Sequence, residues 1–152
     1  MTPQDLLTFL RSHRLAVQAS ASSDGHAQAA VVGFAVSDRF EIVFDTLGST
    51  RKMTNLRRNP RIAVVIGWDD EQTVQIEGVA DEPTGAELAR LKSVYFEAYP
   101  DGVERQKWPG ITYVRVQPNW MRYSDFRAPS RIVEWSDGPS ADQHPPPWRA
   151  RG

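Results

Sequence analysis

Short apolar-rich runs alternate along the chain with turn-forming clusters, and apolar residues repeat at helical spacing in a few segments only. Thr2, Pro3 and Asp5 read as N-cap, first helical residue and a capping-box variant, opening a helix through Leu6, Leu7, Phe9 and Leu10 that ends near His13. Three β-rich segments follow at residues 15–21, 28–36 and 40–46, separated by Ser22-Ser23-Asp24-Gly25 and by Ser37-Asp38. The third sets Phe40, Ile42 and Phe44 against Glu41, Val43 and Asp45, the period-two pattern of a half-buried strand. A short helix at residues 50–59 stops at Pro60, and strands at 61–68 and 73–80 flank a turn at Asp69-Asp70-Glu71. Gly78, inside the second of these, marks a bulge or a close approach.

Thr84 and Glu87 form a second capping-box pattern, and Leu88, Leu91, Val94, Tyr95 and Ala98 then repeat at helical spacing up to Tyr99-Pro100, predicting an amphipathic core helix. Residues 111–117, 119–125 and 131–135 complete about eight strands, the first two joined by a turn at Pro118-Asn119. The expected class is therefore mainly β, a closed or nearly closed antiparallel barrel with flanking helices, because closure removes the edges of such a sheet. Residues 1–135 read as one domain. Residues 136–152 hold four of the 11 prolines without an apolar period and read as an extended or disordered tail.

Composition narrows the chemistry. A chain of 152 residues buries roughly 70% of its extended surface and folds without staples. It has no cysteine, which excludes thiol nucleophiles, disulfides and Cys-ligated metals, and its three histidines lie scattered without ligand spacing, so no metal site is expected. The net charge of −1 argues against a nucleic-acid partner. No apolar run reaches membrane-spanning length and the first residues lack a secretory pattern, so the expected location is cytoplasmic, without a membrane partner.

Charge is balanced globally but not locally. Arg51, Lys52, Arg57, Arg58 and Arg61 fall in residues 46–68, a stretch with no Asp or Glu. A solvated helix face is the ordinary reading of such a run. With Ser49 or Thr50 as N-cap, however, Arg51 and Lys52 occupy the first helical turn, where the dipole disfavours a cation by about 0.3–1 kcal/mol. A bound anion removes the conflict, and backbone N–H groups, hydroxyls, a guanidinium and an ammonium converge there as a phosphate cradle. Met53 and Leu56 are expected to anchor the helix, leaving Arg51, Asn55 and Arg58 on another face and Arg57, Arg58 and Arg61 to solubility or a partner. A DNA-reading helix is the alternative, but this one is barely three turns long and no wider basic track supports it. Trp68 and Trp120 read as packing residues, Trp120 in the barrel core; Arg122 pairs with Asp125 or reaches a ligand; Asp69 and Asp70 read as a solvated turn.

The run Phe44-Asp45-Thr46-Leu47-Gly48-Ser49-Thr50-Arg51-Lys52, followed by Asn59-Pro60-Arg61, Trp68 and residues 74–78, resembles the flavin-binding half of pyridoxamine 5'-phosphate oxidase. The resemblance implies a six-stranded antiparallel split barrel of the FMN-binding type, a homodimer, and FMN at the dimer interface. Carried over, Arg51 and Lys52 bind the FMN phosphate and Thr50 assists through its hydroxyl. Thr46, with the neighbouring Phe44 and Asp45, contacts the flavin, and Thr73 falls where the family places a glutamine near the ring. Asp45 stands in place of an aromatic, Ala30 and Ala35 in place of a basic pair, and the family's C-terminal arginine and histidine have no counterpart. The resemblance thus extends to the cofactor rather than to the vitamin substrate. It implies an FMN-dependent oxidoreductase acting on a small molecule, with a nicotinamide reductant or oxygen as second partner. The alternatives are a deazaflavin-dependent reductase, whose polyanionic tail Arg57 and Arg58 would bind, and a non-catalytic flavin-binding or sensor protein.

Overall fold

A computed structural model describes residues 1–137, so the expected tail lies, beyond Asp137, outside the described residues. The chain runs α1 (Pro3–Arg11), β1 (Leu15–Ala21), β2 (Ala27–Gly33), β3 (Ala35–Val36), β4 (Ile42–Leu47), α2 (Arg51–Arg58), β5 (Arg61–Ile66), β6 (Gln72–Asp81), α3 (Gly85–Ala98), α4 (Gly102–Arg105), β7 (Ile111–Asp125) and β8 (Arg131–Ser136). All pairings are antiparallel, in the order β2-β1-β5-β6-β7-β4-β3, with β8 also on β7. The sheet curls until β2 approaches β4 without a ladder between them, a split barrel. It has eight strands among the described residues rather than the six that the resemblance implied. The extra strands are the two-residue β3, set off from β2 at Phe34, and β8.

Alternation fills the barrel: Ile42 and Phe44 of β4, Val64 and Ile66 of β5, Val74 and Ile76 of β6 and Met121 and Tyr123 of β7 all point inward and are buried. Leu6, Leu7 and Leu10 of α1 close one side of this core, and the predicted capping box is present, Thr2 Oγ1 accepting from Asp5 N and Asp5 Oδ2 from Thr2 N. Trp120 lies on the opposite face of β7 from Met121, half-buried and outside the barrel, and Arg122 stacks over its ring and pairs with Glu134 rather than with Asp125. Trp120 is therefore not a core residue. Strict alternation from Met121 forces it outward.

Two further expectations change for physical reasons. Residues 111–125 form one strand instead of two joined by a turn, because the irregularity at Pro118 is a bulge opposite Gly78 and the pairing with β6 resumes on both sides. The outer face of β4 is also buried, since α3 covers it: Val43 packs with Leu91, Tyr95 and Tyr113 in a second small core. Thr84 is the N-cap of α3 but makes no side-chain cap bond, and the Glu87 carboxylate that would complete a capping box turns instead to Arg90 and Arg115.

The seat of α3 is electrostatic as much as apolar. Glu41, only 6% exposed, accepts from Ser37 Oγ at 2.8 Å, from both terminal nitrogens of Arg90 at 2.8 Å and from Arg115 at 3.2 Å. Burial pushes its carboxyl up, but the bonds from Arg90 and Ser37 outweigh that and hold it at about 2, against an ordinary 4.5. A depressed acid stabilises the fold above its unfolded value, and that stability is lost as pH falls towards the folded value. Glu41→Gln is expected to cost about 3 kcal/mol at neutral pH, because it leaves two arginines short of their buried partner. Denaturant unfolding followed from pH 6 to about pH 2 should show the wild-type stability declining below about pH 4.5 and the variant lacking that part of the slope. At the bulge, a Cβ on Gly78 would lie 2.5 Å from Gln117 O. Gly78→Ala is expected to destabilise by about 1–3 kcal/mol through backbone displacement, measured by the same unfolding experiment.

Candidate functional site

The residues predicted to form a cradle lie around the start of α2, which follows β4 after a three-residue loop. Thr50 is the N-cap, and Met53 N and Thr54 N are the first amides to bond back, both to Thr50 O. The N–H groups of Arg51 and Lys52 thus precede the helical ladder and stay at its open end. Thr50 Oγ1 donates to Leu47 O at 2.9 Å, which folds the loop tightly before the helix. Met53 and Leu56 are buried in the barrel core as expected.

Asn55 is also buried, against expectation: its Nδ2 donates to Ser20 Oγ at 3.2 Å and to Gln28 Oε1 at 3.4 Å. The helix is covered on two sides, by the core and by β1 and β2, so only part of its polar face reaches solvent.

Lys52 is partly buried, and its Nζ donates to Thr46 Oγ1 at 3.2 Å. Burial lowers its ammonium below the ordinary value, and this neutral hydroxyl provides no compensating charge. Arg51 is exposed and makes no side-chain hydrogen bond or ion pair among the described residues. Thr46, Thr50, Arg51 and Lys52 are therefore brought together, and two cations meet two hydroxyls and free amides at a helix amino end. Among the described residues no carboxylate pairs with either cation. Among the described residues no group of His, Asp and Glu is arranged to hold a metal ion.

The other expected residues separate from this group. Phe44 is fully buried in the barrel core, so its side chain cannot touch a ligand at the mouth. Asp45 faces the other side of the strand, accepting from Tyr95 OH at 2.9 Å and from Arg105 Nε at 2.8 Å. Its carboxylate is occupied in holding α3 and α4 to β4.

Thr73 is further away. Thr46 pairs with Thr112 and Thr73 with Ser124, twelve positions apart on β7, roughly 40 Å of strand at about 3.3 Å per residue. Thr73 lines a shallow cavity on the outer sheet face with Ala63, Val65, Gln75, Glu77 and Trp120. One protomer does not join Thr73 to the cradle.

Arg57 departs most from its sequence reading as a spare cation: it is bidentate to Glu82, at 3.0 and 2.9 Å, and its third nitrogen donates to Gly48 O at 2.9 Å. Periodicity places Arg57 two turns from the helix start, and nothing in the spacing signals that its side chain curls back to the preceding loop.

Comparison with known proteins agrees with this architecture. The fold is similar to a heme binding protein from Mycobacterium smegmatis, with 16% identity and a TM-score of 0.77 over 90% of this chain, which spans 58% of that one. A conserved hypothetical protein from Mycobacterium tuberculosis is 27% identical, with a TM-score of 0.71, covering 84% of this chain and 86% of the other. The heme storage protein HutZ from Vibrio cholerae is 13% identical, with a TM-score of 0.67 over 78% of this chain and 91% of that one. No match to a curated protein is found. The family model described as pyridoxamine 5'-phosphate oxidase matches residues 2–125, which takes in the start of α2 and every strand from β1 to β7. The chain belongs to the pyridoxamine 5'-phosphate oxidase family.

Proposed function

We propose that this protein is an FMN-binding flavoprotein, an oxidoreductase acting on a small molecule with a nicotinamide reductant or oxygen as second partner. The observation that carries the reading is the half-buried Lys52, next to Arg51, whose guanidinium is unpaired among the described residues, at the amino end of α2. A dianionic phosphate there accepts from two cations, from free amides and from the hydroxyl of Thr46, while the Thr50 hydroxyl joins only by giving up its bond to Leu47 O, and the phosphate offsets the local excess of positive charge. A bound flavin supplies the hydride and electron chemistry. This chain's part is to hold the phosphate and set the reach of the ring.

A second copy completes the site. Thr73 and the cradle lie at opposite ends of β7, so they serve one flavin only when they come from different protomers. The outer face of β1, β5 and β6, which carries Thr73, is floored by small residues such as Ala19 and Ala63 and bears an exposed Arg61 and Glu77, a surface that two copies can share with opposite charges facing. The location assigned is cytoplasmic; among the described residues no helix is long and apolar enough to cross a membrane.

The deazaflavin reading weakens, since Arg57 is engaged by Glu82 and Gly48, and of the two cations assigned to a longer tail only Arg58 remains free among the described residues.

Purified protein is expected to be yellow, with a flavin absorbance spectrum and FMN as the released ligand. Arg51→Ala with Lys52→Ala is expected to weaken FMN binding by on the order of 100-fold or more, since each charge-assisted bond contributes about 1.5–3 kcal/mol. Wild-type affinity in the double variant would sink the assignment. A Soret band in place of the flavin bands would move the protein to the side of its heme-binding neighbours.

A further inference from the structure

Besides the bonds from Thr50 to Leu47 O, the loop between β4 and α2 is held through both backbone groups of Gly48. Gly48 N donates to Gly110 O at 2.8 Å, and Gly48 O accepts from an Arg57 terminal nitrogen at 2.9 Å. Arg57 is itself fixed by a two-point bond to Glu82, just beyond the end of β6. The fit is tight: a Cβ on Gly48 would lie 3.0 Å from Thr112 Oγ1, 3.3 Å from Arg57 and 3.5 Å from Gly110 O. Thr112 is the cross-strand partner of Thr46, so the clamp and the cradle share a strand pair.

Packing does not explain the arrangement. A cavity of about 280 Å³ lies beside Arg57, bounded by Met53, Leu56, Pro60, Ala80 and Glu82, so the guanidinium is directed by its bonds. Global stability does not explain it either. The Arg57 and Glu82 side chains are 48% and 38% exposed, and exposed ion pairs contribute little to folding. Arg57 holds the Glu82 carboxyl below its ordinary value, as expected of a pair that persists in one geometry. What the pair does fix is the direction of Arg57, and so the Gly48 carbonyl.

We propose that Arg57, oriented by Glu82, is a positioning residue of the anion site: it clamps the Gly48 carbonyl and thereby sets where the amides of Arg51 and Lys52 point. The proposal rests on the cofactor reading above and adds a residue that touches no ligand. Its role is phosphate-specific, because the clamp governs the loop before α2 and leaves the sheet face that carries Thr73 unchanged.

Two measurements on the full chain decide it, with Arg57→Met and Glu82→Gln as variants. Amide hydrogen exchange on protein without added ligand is expected to rise in both variants at Gly48 and Thr50, whose amides are bonded to Gly110 O and Leu47 O, and to stay at wild-type values in β1, β5 and β6. Fluorescence titrations with FMN and with riboflavin, which lacks the phosphate, are expected to show FMN affinity falling about tenfold, the size of one hydrogen bond, with riboflavin affinity unchanged. Unchanged exchange at Gly48 and Thr50 overturns the proposal, and so does equal loss of both ligands, which would mark a general structural role. If the wild-type protein binds FMN no more tightly than riboflavin, the cofactor reading fails instead, and the exchange measurement alone decides whether Arg57 and Glu82 clamp the loop.

Discussion

The whole architecture hangs on β7. Along one edge it pairs with β6, and along the other it pairs first with β4, at residues 111–116, and then with β8, at residues 120–125. A strand of 15 residues with partners on both sides must coil for the sheet to curl, and the point of release is the bulge at Gly78 and Pro118. Pro118 falls between the β4 and β8 ladders, where its missing N–H interrupts neither. Everything at the barrel mouth inherits its position from this strand, because β4 delivers Thr46 only as far as its register with Thr112 allows.

Charge is consumed in pairs nearly everywhere around that frame. Glu41 and Asp45, two residues either side of Val43 on one face of β4, each receive an arginine from the helical arm, Arg90 of α3 and Arg105 of α4. Arg115 joins Glu41, Asp81 and Glu87. These bonds lock the arm over β4 and neutralise its acids. The cations at the start of α2 have no acid beside them among the described residues, and they sit at a helix amino end: a site for an anion is defined as much by where acids are spent as by where bases gather.

Much of this was legible in the residues. Period-two alternation identified Phe40, Ile42 and Phe44 as core, the Thr2 and Asp5 capping box is present, Gly78 sits at its bulge, and Lys52 at the start of α2 reaches Thr46 of β4. What escaped the sequence was contact between distant segments. Alternation assigns Glu41 and Asp45 to an outer face but cannot say that α3 covers it. Helical spacing puts Arg57 and Asn55 on a polar arc but cannot reveal that β1 and β2 bury one and that Gly48 captures the other. The same limit applies to Thr73: its place in the motif was readable, its distance from the cradle only from the register of β7.

The separation of Thr46 from Thr73 along β7 has a consequence in mass action. On the two-protomer reading, ligand occupancy and assembly are linked equilibria: ligand stabilises the pair, and the pair creates the ligand site. Affinity is then not a constant of the chain but a function of its concentration. Dilution alone releases the bound molecule, without any change in pH, salt or sequence.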